Sequence, residues 1–232
     1  MIFAKLRREY NLASLRRGDL EADPIAQFEK WFDHATGARA GGGIRKILIR
    51  IYKRTFPARP SEANAAALAT AGRDGQPSVR TVLLKGLGDR GFIFFTNYNS
   101  RKARDLSANP RAALLFYWAD QERQVHIEGE VEKMTRAESE AYFRTRPRGS
   151  RLAAWASDQS AVVEDRAVLE LRRDEWRRRY ANTDVPMPEH WGGYVLHPMR
   201  FEFWQGRPDR LHDRFCYTRQ PDKSWRVERL CP

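Results

Sequence analysis

The pattern of apolar and polar positions predicts a helix near the N-terminus, a strand-rich middle, further helices and three closing strands. Alternation is clearest between Arg123 and Met134, where apolar residues such as Val125 and Ile127 are separated by charged or polar ones. Side chains of a strand alternate between two faces, so this strand should bury one face. Comparable runs predict strands at 65–71, 78–85, 91–96, 111–118, 123–134, 194–204, 212–219 and 225–230.

Capping signals mark the predicted helices. Asp23-Pro24 combines an N-cap acid with proline at the first helical position. The spacing of Thr135 and Glu138 matches a capping box and predicts a helix that carries Tyr142 and Arg146 on one face, since the two lie four residues apart. The other two helices are expected at about 101–109 and 161–180.

Short antiparallel strands at regular spacing favour a mainly β fold with flanking helices (α+β), a barrel or sandwich with helices at its side. Asp74-Gly75 predicts a tight turn between the first two strands. We expect a flexible segment at 1–22, one domain over 23–232 and a basic insertion at about 41–61. The apolar residues of the insertion have helical spacing, which leaves two alternatives. The insertion is a surface excursion that touches a membrane or an acidic partner, or it is a surface helix docked on the domain.

Composition narrows the class of protein. The chain has 232 residues, of which 41% are hydrophobic and 12% aromatic, as expected for a globular protein that buries a sizeable core. Cys216 and Cys231 have neither the CxxC spacing of a zinc site nor the number needed for a disulfide scaffold. No window approaches the ~20 apolar residues of a membrane span. We therefore expect a soluble protein of the reducing cytoplasm, without a metal.

The net charge of +12 raises nucleic-acid binding as a competing function. The chain lacks a zinc-finger pattern and the glycine-flanked aromatic pattern of an RNA-recognition module. Much of the excess charge falls in two stretches, 45–59 and 172–179, which are typical of solvated surfaces. No nucleic-acid partner is expected.

Two segments carry candidate chemistry. If the run from Trp204 to Arg214 is extended, Arg210, His212 and Arg214 share one face and converge on an anionic ligand that contains a ring. A solvated basic edge strand explains the same pattern. Upstream, Lys85 ends an apolar run, and a lysine at the end of a buried strand needs an anionic partner.

The second segment continues into a predicted helix start. Ser100, Arg101 and Lys102 lie where unpaired backbone N–H groups and the helix dipole favour a phosphate. Arginine adds a planar fork that binds phosphate through two hydrogen bonds. Taken alone, Arg101 and Lys102 also fit a solvated helix face.

The chain resembles the pyridoxine (pyridoxamine) 5′-phosphate oxidase family in a series of motifs that occur in the family's order. The matches span residue 62 to the C-terminus, with a weaker match at 7–10 and 20–31. The motifs are Arg80 to Lys85, Thr96-Asn97 with Ser100-Arg101-Lys102, Glu122 to Val125, Tyr142-Phe143 with Arg146-Pro147-Arg148 and Ser150, Gln159-Ser160, Trp191-Gly192-Gly193, and Phe203 to Gly206 leading into Arg210 to Arg214.

The resemblance implies an FMN-binding split β-barrel, normally a homodimer with its sites at the subunit interface. The implied reaction is oxidation of pyridoxamine or pyridoxine 5′-phosphate to pyridoxal 5′-phosphate, with oxygen reduced to hydrogen peroxide. A related flavin oxidase on another aromatic substrate and a noncatalytic pyridoxal-phosphate carrier are the alternatives.

The resemblance also implies roles for individual residues. Arg210 and His212 would be catalytic and face the pyridine ring, with Arg210 nearest the reacting carbon. The implied flavin-binding residues are Arg80, Thr81, Val82, Leu83, Leu84, Lys85, Phe95, Thr96, Arg101, Lys102, Gln124, Gln159, Ser160, Trp204 and Arg214. The implied substrate-binding residues are Lys85, Tyr142, Arg146, Ser150, Arg210, Leu211 and His212.

Several of these residues have an ordinary structural explanation as well. Trp204 and Tyr142 fit core or interface aromatics, and Gln159 and Ser160 fit a helix cap. The chain also departs from the family pattern. Phe95 stands where the family commonly has tyrosine, and the insertion at 41–61 replaces a shorter link.

Overall fold

A computed structural model of the protein describes residues 9–37, 62–88 and 90–232. The basic insertion and the Arg7-Arg8 pair lie outside the described residues. The helices are α1 (Pro24–Thr36), α2 (Arg101–Ala108), α3 (Arg136–Thr145), α4 (Arg148–Ala156) and α5 (Arg166–Arg179). Single 3-10 turns cover Arg17–Asp19, Ala119–Gln121 and Pro208–Arg210.

Nine strands of the described ranges form the sheet. They are β1 (Ala65–Ala71), β2 (Pro77–Leu83), β3 (Gly86–Gly88), β4 (Gly91–Asn97), β5 (Arg111–Trp118), β6 (Arg123–Lys133), β7 (Trp191–Gln205), β8 (Asp213–Arg219) and β9 (Trp225–Leu230). Their order is β2-β1-β5-β6-β7-β4-β3, with β8 between β7 and β9. The pairs β3–β4, β4–β7, β7–β8 and β8–β9 are antiparallel, and the predicted α+β class is confirmed.

The chain divides into two compact units. Of the described residues, unit 1 contains 9–37, 62–67, 113–128 and 198–232, and unit 2 contains 68–88, 90–112 and 129–197. The boundaries fall inside strands β1, β5, β6 and β7, so each of these strands contributes to both units.

In unit 1, helix α1 supplies much of the core. Asp23 caps the helix through a 3.1 Å hydrogen bond from the Ile25 amide, as its sequence predicts. The helix buries Phe28 and Trp31, whose ring centroids lie 5.0 Å from Phe116 and 5.3 Å from Phe203. Ring pairs at these separations bury large apolar surfaces against the sheet.

In unit 2, strand β4 packs an almost fully apolar run into the core. Phe94 stacks on Tyr194 of β7 with a centroid distance of 5.5 Å. Gly129 of β6 allows close strand approach, because a Cβ atom there would overlap the carbonyl oxygen of His197. The predicted hairpin turn is present, and Gly75 has a φ of +73°.

Several elements differ from the predictions. Arg210 is not in a strand, because the 3-10 turn and the positive φ angles of Asp209 and Arg210 interrupt the extended run. Helix α5 begins later than predicted, and Arg146 follows the end of α3 with an extended backbone. Strand β3 and helix α4 were not predicted.

Candidate active site

Unit 2 gathers about half of the predicted site residues around one pocket of about 240 Å³. Strands β2 and β4, helices α2 and α3 and the loop after α4 contribute its walls. The predicted residues that line it are Thr81, Val82, Leu83, Lys85, Phe95, Thr96, Lys102, Tyr142, Arg146 and Gln159. Trp191 also lines the pocket, although the sequence had assigned it no role.

Lys102 lies at the first turn of α2 and only 7% of its surface is exposed. Its Nζ donates to Thr96 Oγ1 at 3.1 Å, Ser100 Oγ at 3.2 Å and Gln159 Oε1 at 2.9 Å. Thr96 donates to the same Gln159 oxygen at 3.0 Å. An ammonium has three protons, so this network uses every donor of Lys102.

The partners of Lys102 are all neutral, and no carboxylate within the described ranges forms an ion pair with it. Burial lowers the pKa of Lys102 to about 8, and the nearby charge of Arg80 lowers that pKa as well. A buried cation without a counter-ion favours binding of an anion, because an anion would offset its lost hydration.

Three aromatic rings form another wall of the pocket. The Phe95 and Tyr142 centroids are 3.9 Å apart, with ring planes 17° from parallel. The Trp191 ring lies 5.3 Å from Phe95 and is nearly parallel to both rings. The structure therefore assigns Tyr142 to the pocket surface as well as to the local apolar cluster.

Arg146 is the second cation of the pocket. Its guanidinium lies over the Trp191 ring, with Cζ 4.6 Å from the centroid. Burial lowers the pKa of Arg146. Its Nη1 is buried and has no hydrogen-bond partner in the described part of the chain. Such an unpaired donor fits an anionic oxygen of a ligand.

Arg80 does not line the pocket. Its guanidinium donates to Leu68 O at 3.2 Å and to Thr70 Oγ1 at 2.6 Å, and it lies 3.7 Å from Asp105. Asp105 accepts a further 2.7 Å hydrogen bond from Thr70. Arg80 therefore stabilises the packing of β2 against β1 and α2. Nothing in its sequence motif predicted this acidic partner.

The argument for Lys85 from burial is wrong, although Lys85 does line the pocket. The residue is exposed and lies beyond the end of β2. Strand β2 is an edge strand whose residues alternate between exposed and half-buried positions. An apolar, β-branched run therefore did not indicate a fully buried strand here.

Arg101, Ser150 and Ser160 belong to unit 2 but do not line the pocket. Arg101 is exposed at the start of α2, and its backbone N–H donates to Ser160 Oγ at 3.2 Å. Ser160 has a φ of +76°, so the loop after α4 turns sharply beside the helix start. Leu84 lies in the short link between β2 and β3.

The other predicted residues belong to unit 1. The rings of Trp204 and His212 are 4.7 Å apart, and the Tyr10 ring meets both edge-on at 5.6 and 5.8 Å. A Cβ atom at Gly206 would lie 2.7 Å from the Tyr10 ring, so glycine is required for this packing. Sequence analysis anticipated Trp204 and His212 but not their contact with Tyr10.

His212 has a defined hydrogen-bonding state. Its Nδ1 accepts the Arg207 backbone N–H at 3.1 Å, which leaves the proton of a neutral ring on Nε2. Burial lowers the pKa of His212, and the charge of Arg210 lowers it further. A neutral His212 can therefore donate a hydrogen bond from Nε2.

The predicted convergence of the alternating side chains is not observed. Arg210 and Leu211 are exposed, while Arg214 in β8 donates to Glu202 at 2.8 Å and to the Cys231 carbonyl at 2.7 Å. Gln124 is half-buried in β6. The common face fails because the chain turns at 208–210 instead of continuing as a strand.

No metal-binding group of acidic, histidine or cysteine side chains occurs among the residues that the structure describes. Both cysteines are free. Within the same ranges, no helix has the length and apolar character needed to cross a membrane.

Comparison with known proteins assigns the family. Residues 54–180 match the family model described as pyridoxamine 5′-phosphate oxidase, which covers more than half of the chain. The chain belongs to the pyridoxamine 5′-phosphate oxidase family. Residues 191–232 of this oxidase-family chain match a second model, the pyridoxine 5′-phosphate oxidase C-terminal dimerisation region.

Relatives of this oxidase family align over nearly the whole chain. The pyridoxine/pyridoxamine 5′-phosphate oxidase of Cupriavidus pinatubonensis is 52% identical over 229 residues, covering 99% of this chain and 98% of the relative. The protein of the same name from Rippkaea orientalis is 48% identical over 232 residues and covers both chains completely.

Solved structures agree with the assignment. PhzG from Burkholderia lata 383, in complex with tetrahydrophenazine-1-carboxylic acid, matches with a TM-score of 0.80 and 29% identity over 97% of this chain and 100% of PhzG. A pyridoxamine 5′-phosphate oxidase-related, FMN-binding protein from Nostoc punctiforme shares the fold, with a TM-score of 0.66, 16% identity and coverage of 92% and 100%. The predicted split-barrel class is confirmed.

Membership in the oxidase family implies a flavin cofactor. The pocket fits a flavin phosphate or a substrate phosphate in its chemistry, because it contains a buried lysine without a counter-ion and an arginine with an unpaired donor. Its aromatic wall fits a planar ring.

Proposed function

We propose that the protein oxidises pyridoxamine 5′-phosphate and pyridoxine 5′-phosphate to pyridoxal 5′-phosphate with FMN as cofactor. The observation that carries the proposal is a pocket lined by the buried Lys102 and the half-buried Arg146, which have no carboxylate partner among the described residues and lie near parallel aromatic rings. Such a pocket suits planar ligands that carry phosphate.

The FMN site would use residues of several elements. Arg101 and Lys102 would hold the phosphate at the start of α2, where the helix dipole also favours an anion. Lys102 would exchange one of its three present hydrogen bonds for one to the phosphate. The other predicted flavin contacts would line the ring system, and Gln124, Trp204 and Arg214 would complete the site. When bound, FMN supplies the hydride acceptor and returns two electrons to oxygen as hydrogen peroxide.

The substrate phosphate would be held by Lys85, Tyr142, Arg146 and Ser150. Arg146 contributes the unpaired Nη1, and a charge-assisted hydrogen bond to phosphate contributes roughly 1.5–3 kcal/mol. Arg210, Leu211 and His212 would face the pyridine ring. Because His212 accepts a hydrogen bond at Nδ1, it would donate through Nε2 to the ring or to the oxidised substituent.

The reaction balances without a metal. The carbon that bears the amine or hydroxyl group loses a hydride and its substituent loses a proton. The alcohol then yields the aldehyde directly, while the imine from the amine takes up water and releases ammonia. The enzyme's own residues hold the substrate in the orientation in which its reacting carbon faces the flavin.

The C-terminal dimerisation region supports a homodimer, with part of each site supplied by the partner subunit. The reducing cytoplasm remains the predicted location.

A direct assay tests the function. The purified protein should show a flavin absorption spectrum and should form aldehyde and peroxide in equal amounts from either phosphate ester under air. Arg146→Gln should raise KM more than ~10-fold, because it removes at least one charge-assisted hydrogen bond. Arg144→Gln is the matched control, since Arg144 is exposed in the last turn of α3, two residues before Arg146, and pairs with Glu140; it should leave KM unchanged.

A protein that binds FMN but oxidises neither ester would contradict the oxidase proposal. Retained affinity for pyridoxal 5′-phosphate in that protein would instead indicate a carrier. The similarity to PhzG favours one further candidate, a flavin oxidase for an aromatic carboxylic acid, in which Arg146 would bind a carboxylate. Faster oxidation of a phosphate-free aromatic acid than of the phosphate esters would support that alternative.

A further inference from the structure

The Trp191-Gly192-Gly193 motif has no role in the proposed reaction, yet it borders the pocket. Trp191 begins β7 and is 7% exposed. Its backbone pairs with Asn97 of β4 in the antiparallel register. The indole ring therefore occupies a fixed position in unit 2, between the sheet and helix α3.

The Trp191 ring faces the guanidinium of Arg146 at 4.6 Å. Cζ of the same guanidinium also lies 5.4 Å from the centroid of the Phe143 ring, which meets Trp191 in a T-shaped contact at 5.0 Å. The electron-rich face of an indole attracts a guanidinium, and tryptophan is the best of the aromatic side chains for this contact.

Arg146 depends on that contact for its position. It follows the C-terminus of α3, where the backbone has left the helix. No acidic side chain of the described ranges pairs with the guanidinium, and Nη1 has no hydrogen-bond partner. A long side chain of this kind has many rotamers, and the ring is the main surface that restricts them.

Gly193, the second glycine after Trp191, brings β7 close to the aromatic wall and to α3. A Cβ atom at Gly193 would lie 2.8 Å from Phe95 Cε1, so only glycine allows β7 to lie this close to the aromatic wall. The Gly193 N–H donates to the buried Ser139 Oγ of α3 at 3.1 Å. The strand that carries Trp191 is thus bonded directly to the helix that precedes Arg146.

We propose that Trp191 is a positioning residue for phosphate recognition, which holds the Arg146 guanidinium at the wall of the pocket where it binds the phosphate ester. This inference deepens the proposed function and rests on it. It assigns a purpose to a motif that packing alone would otherwise explain.

The test compares affinities for pyridoxal 5′-phosphate and for pyridoxal, which lacks the phosphate, by calorimetry on the flavin-loaded protein. Trp191→Leu should weaken binding of the phosphate ester about 10-fold and leave pyridoxal binding unchanged. In turnover assays KM for pyridoxamine 5′-phosphate should rise while kcat stays within about twofold. Trp191→Phe, which keeps a ring, should retain most of the affinity.

A double-mutant cycle separates positioning from packing. In an Arg146→Gln background, Trp191→Leu should have no further effect on the affinity for the phosphate ester. Met187→Leu is the matched control, because Met187 belongs to the same buried cluster, and the substitution leaves the indole in place. It should leave the preference for the phosphate ester intact.

The outcomes distinguish this inference from the proposed function. If wild type prefers the phosphate ester and Trp191→Leu keeps that preference, Trp191 does not act through Arg146. The same conclusion follows if Trp191→Leu weakens binding of the ester by the same factor in wild type and in the Arg146→Gln background. If wild type shows no preference for the phosphate ester, the proposed substrate is wrong and the inference fails with it. Should Trp191→Leu not fold, Trp191→Met, which also removes the ring, takes its place in both tests, and a Trp191→Met protein that keeps the full preference for the phosphate ester would overturn the inference.

Discussion

If Lys102 binds the FMN phosphate as proposed, this one side chain links cofactor binding to pH. Its ammonium is buried among neutral oxygens, and burial lowers its pKa to about 8. A bound phosphate would favour the charged form and raise that pKa. The favourable charge interaction is thus fully present below pH 8 and is lost as the pH rises toward the raised pKa of the complex.

We therefore expect the dissociation constant of FMN to be nearly constant below about pH 7 and to increase progressively above about pH 8. Lys102→Gln should bind FMN more weakly but without this rise, and Lys102→Arg should keep a charge throughout the range. Flavin titrations of the three proteins between about pH 7 and pH 9 measure the effect. An identical pH profile for wild type and Lys102→Gln would exclude Lys102 as the group that titrates.

Arg210 is the residue on which the proposed chemistry depends most. Arg210→Ala should lower the rate of pyridoxal 5′-phosphate formation more than ~10-fold, at least ~1.4 kcal/mol of transition-state stabilisation, while FMN remains bound. Both residues carry a Cβ, so the strain at a φ of +62° is unchanged and the rate reports on the side chain.

Arg210→Lys should not restore the rate, because an ammonium lacks the planar fork. Arg226→Ala is the control, since Arg226 is an exposed arginine of β9. Full activity of Arg210→Ala would show that the catalytic segment lies elsewhere.

At the scale of single residues, sequence motifs predicted which side chains line the pocket better than they predicted their partners. Ten of the pocket residues were anticipated, because the motifs have a fixed order along the chain. The ion pair between Arg80 and Asp105 was not predicted, because it joins β2 to α2 through a tertiary contact that sequence spacing does not indicate. Trp191 belongs to a recognised motif, but the sequence predicted no role for it, because its contact with the Arg146 guanidinium depends on tertiary packing.

At the scale of elements, periodicity located most strands and helices. The alternation of 123–134 and the caps at Asp23 and Thr135 were confirmed because they depend on local chemistry. The prediction of an extended strand through Arg210 was wrong, because Pro208 and two residues with positive φ form a turn there. Helix α4 was missed because its sequence opens with Arg-Gly-Ser and has no capping signal.

Gly129 provides a prediction for a whole element. Gly129→Ala should destabilise the fold by roughly 1–3 kcal/mol or more, because the new methyl group would overlap a backbone carbonyl that cannot move aside. Gly88→Ala is the matched control, since no atom lies within 4 Å of a Cβ at that position. Chemical denaturation of both variants measures the difference, and equal stability would mean that β6 and β7 do not pack this closely.

At the scale of the molecule, the proposed FMN site and the dimer should be separable. The Arg101→Ala, Lys102→Ala double variant should purify without flavin, because it loses two cations at the start of α2. Sedimentation should still show a dimer of 27.1 kDa chains, since neither side chain lies in the region 191–232 that matches the dimerisation model. Full flavin occupancy in this variant would show that the phosphate site has been misplaced.

If FMN binds at Lys102 as proposed, the hydrogen bonds of this lysine also couple cofactor supply to the lifetime of the protein. A buried charge surrounded only by neutral groups reduces the stability of the flavin-free chain, and any anion that binds there adds stability through mass action. At a free FMN concentration 100 times the dissociation constant, this linkage contributes about 2.7 kcal/mol. A cell short of flavin would therefore hold less of the enzyme as well as less activity per molecule, because the flavin-free chain unfolds more often and is degraded.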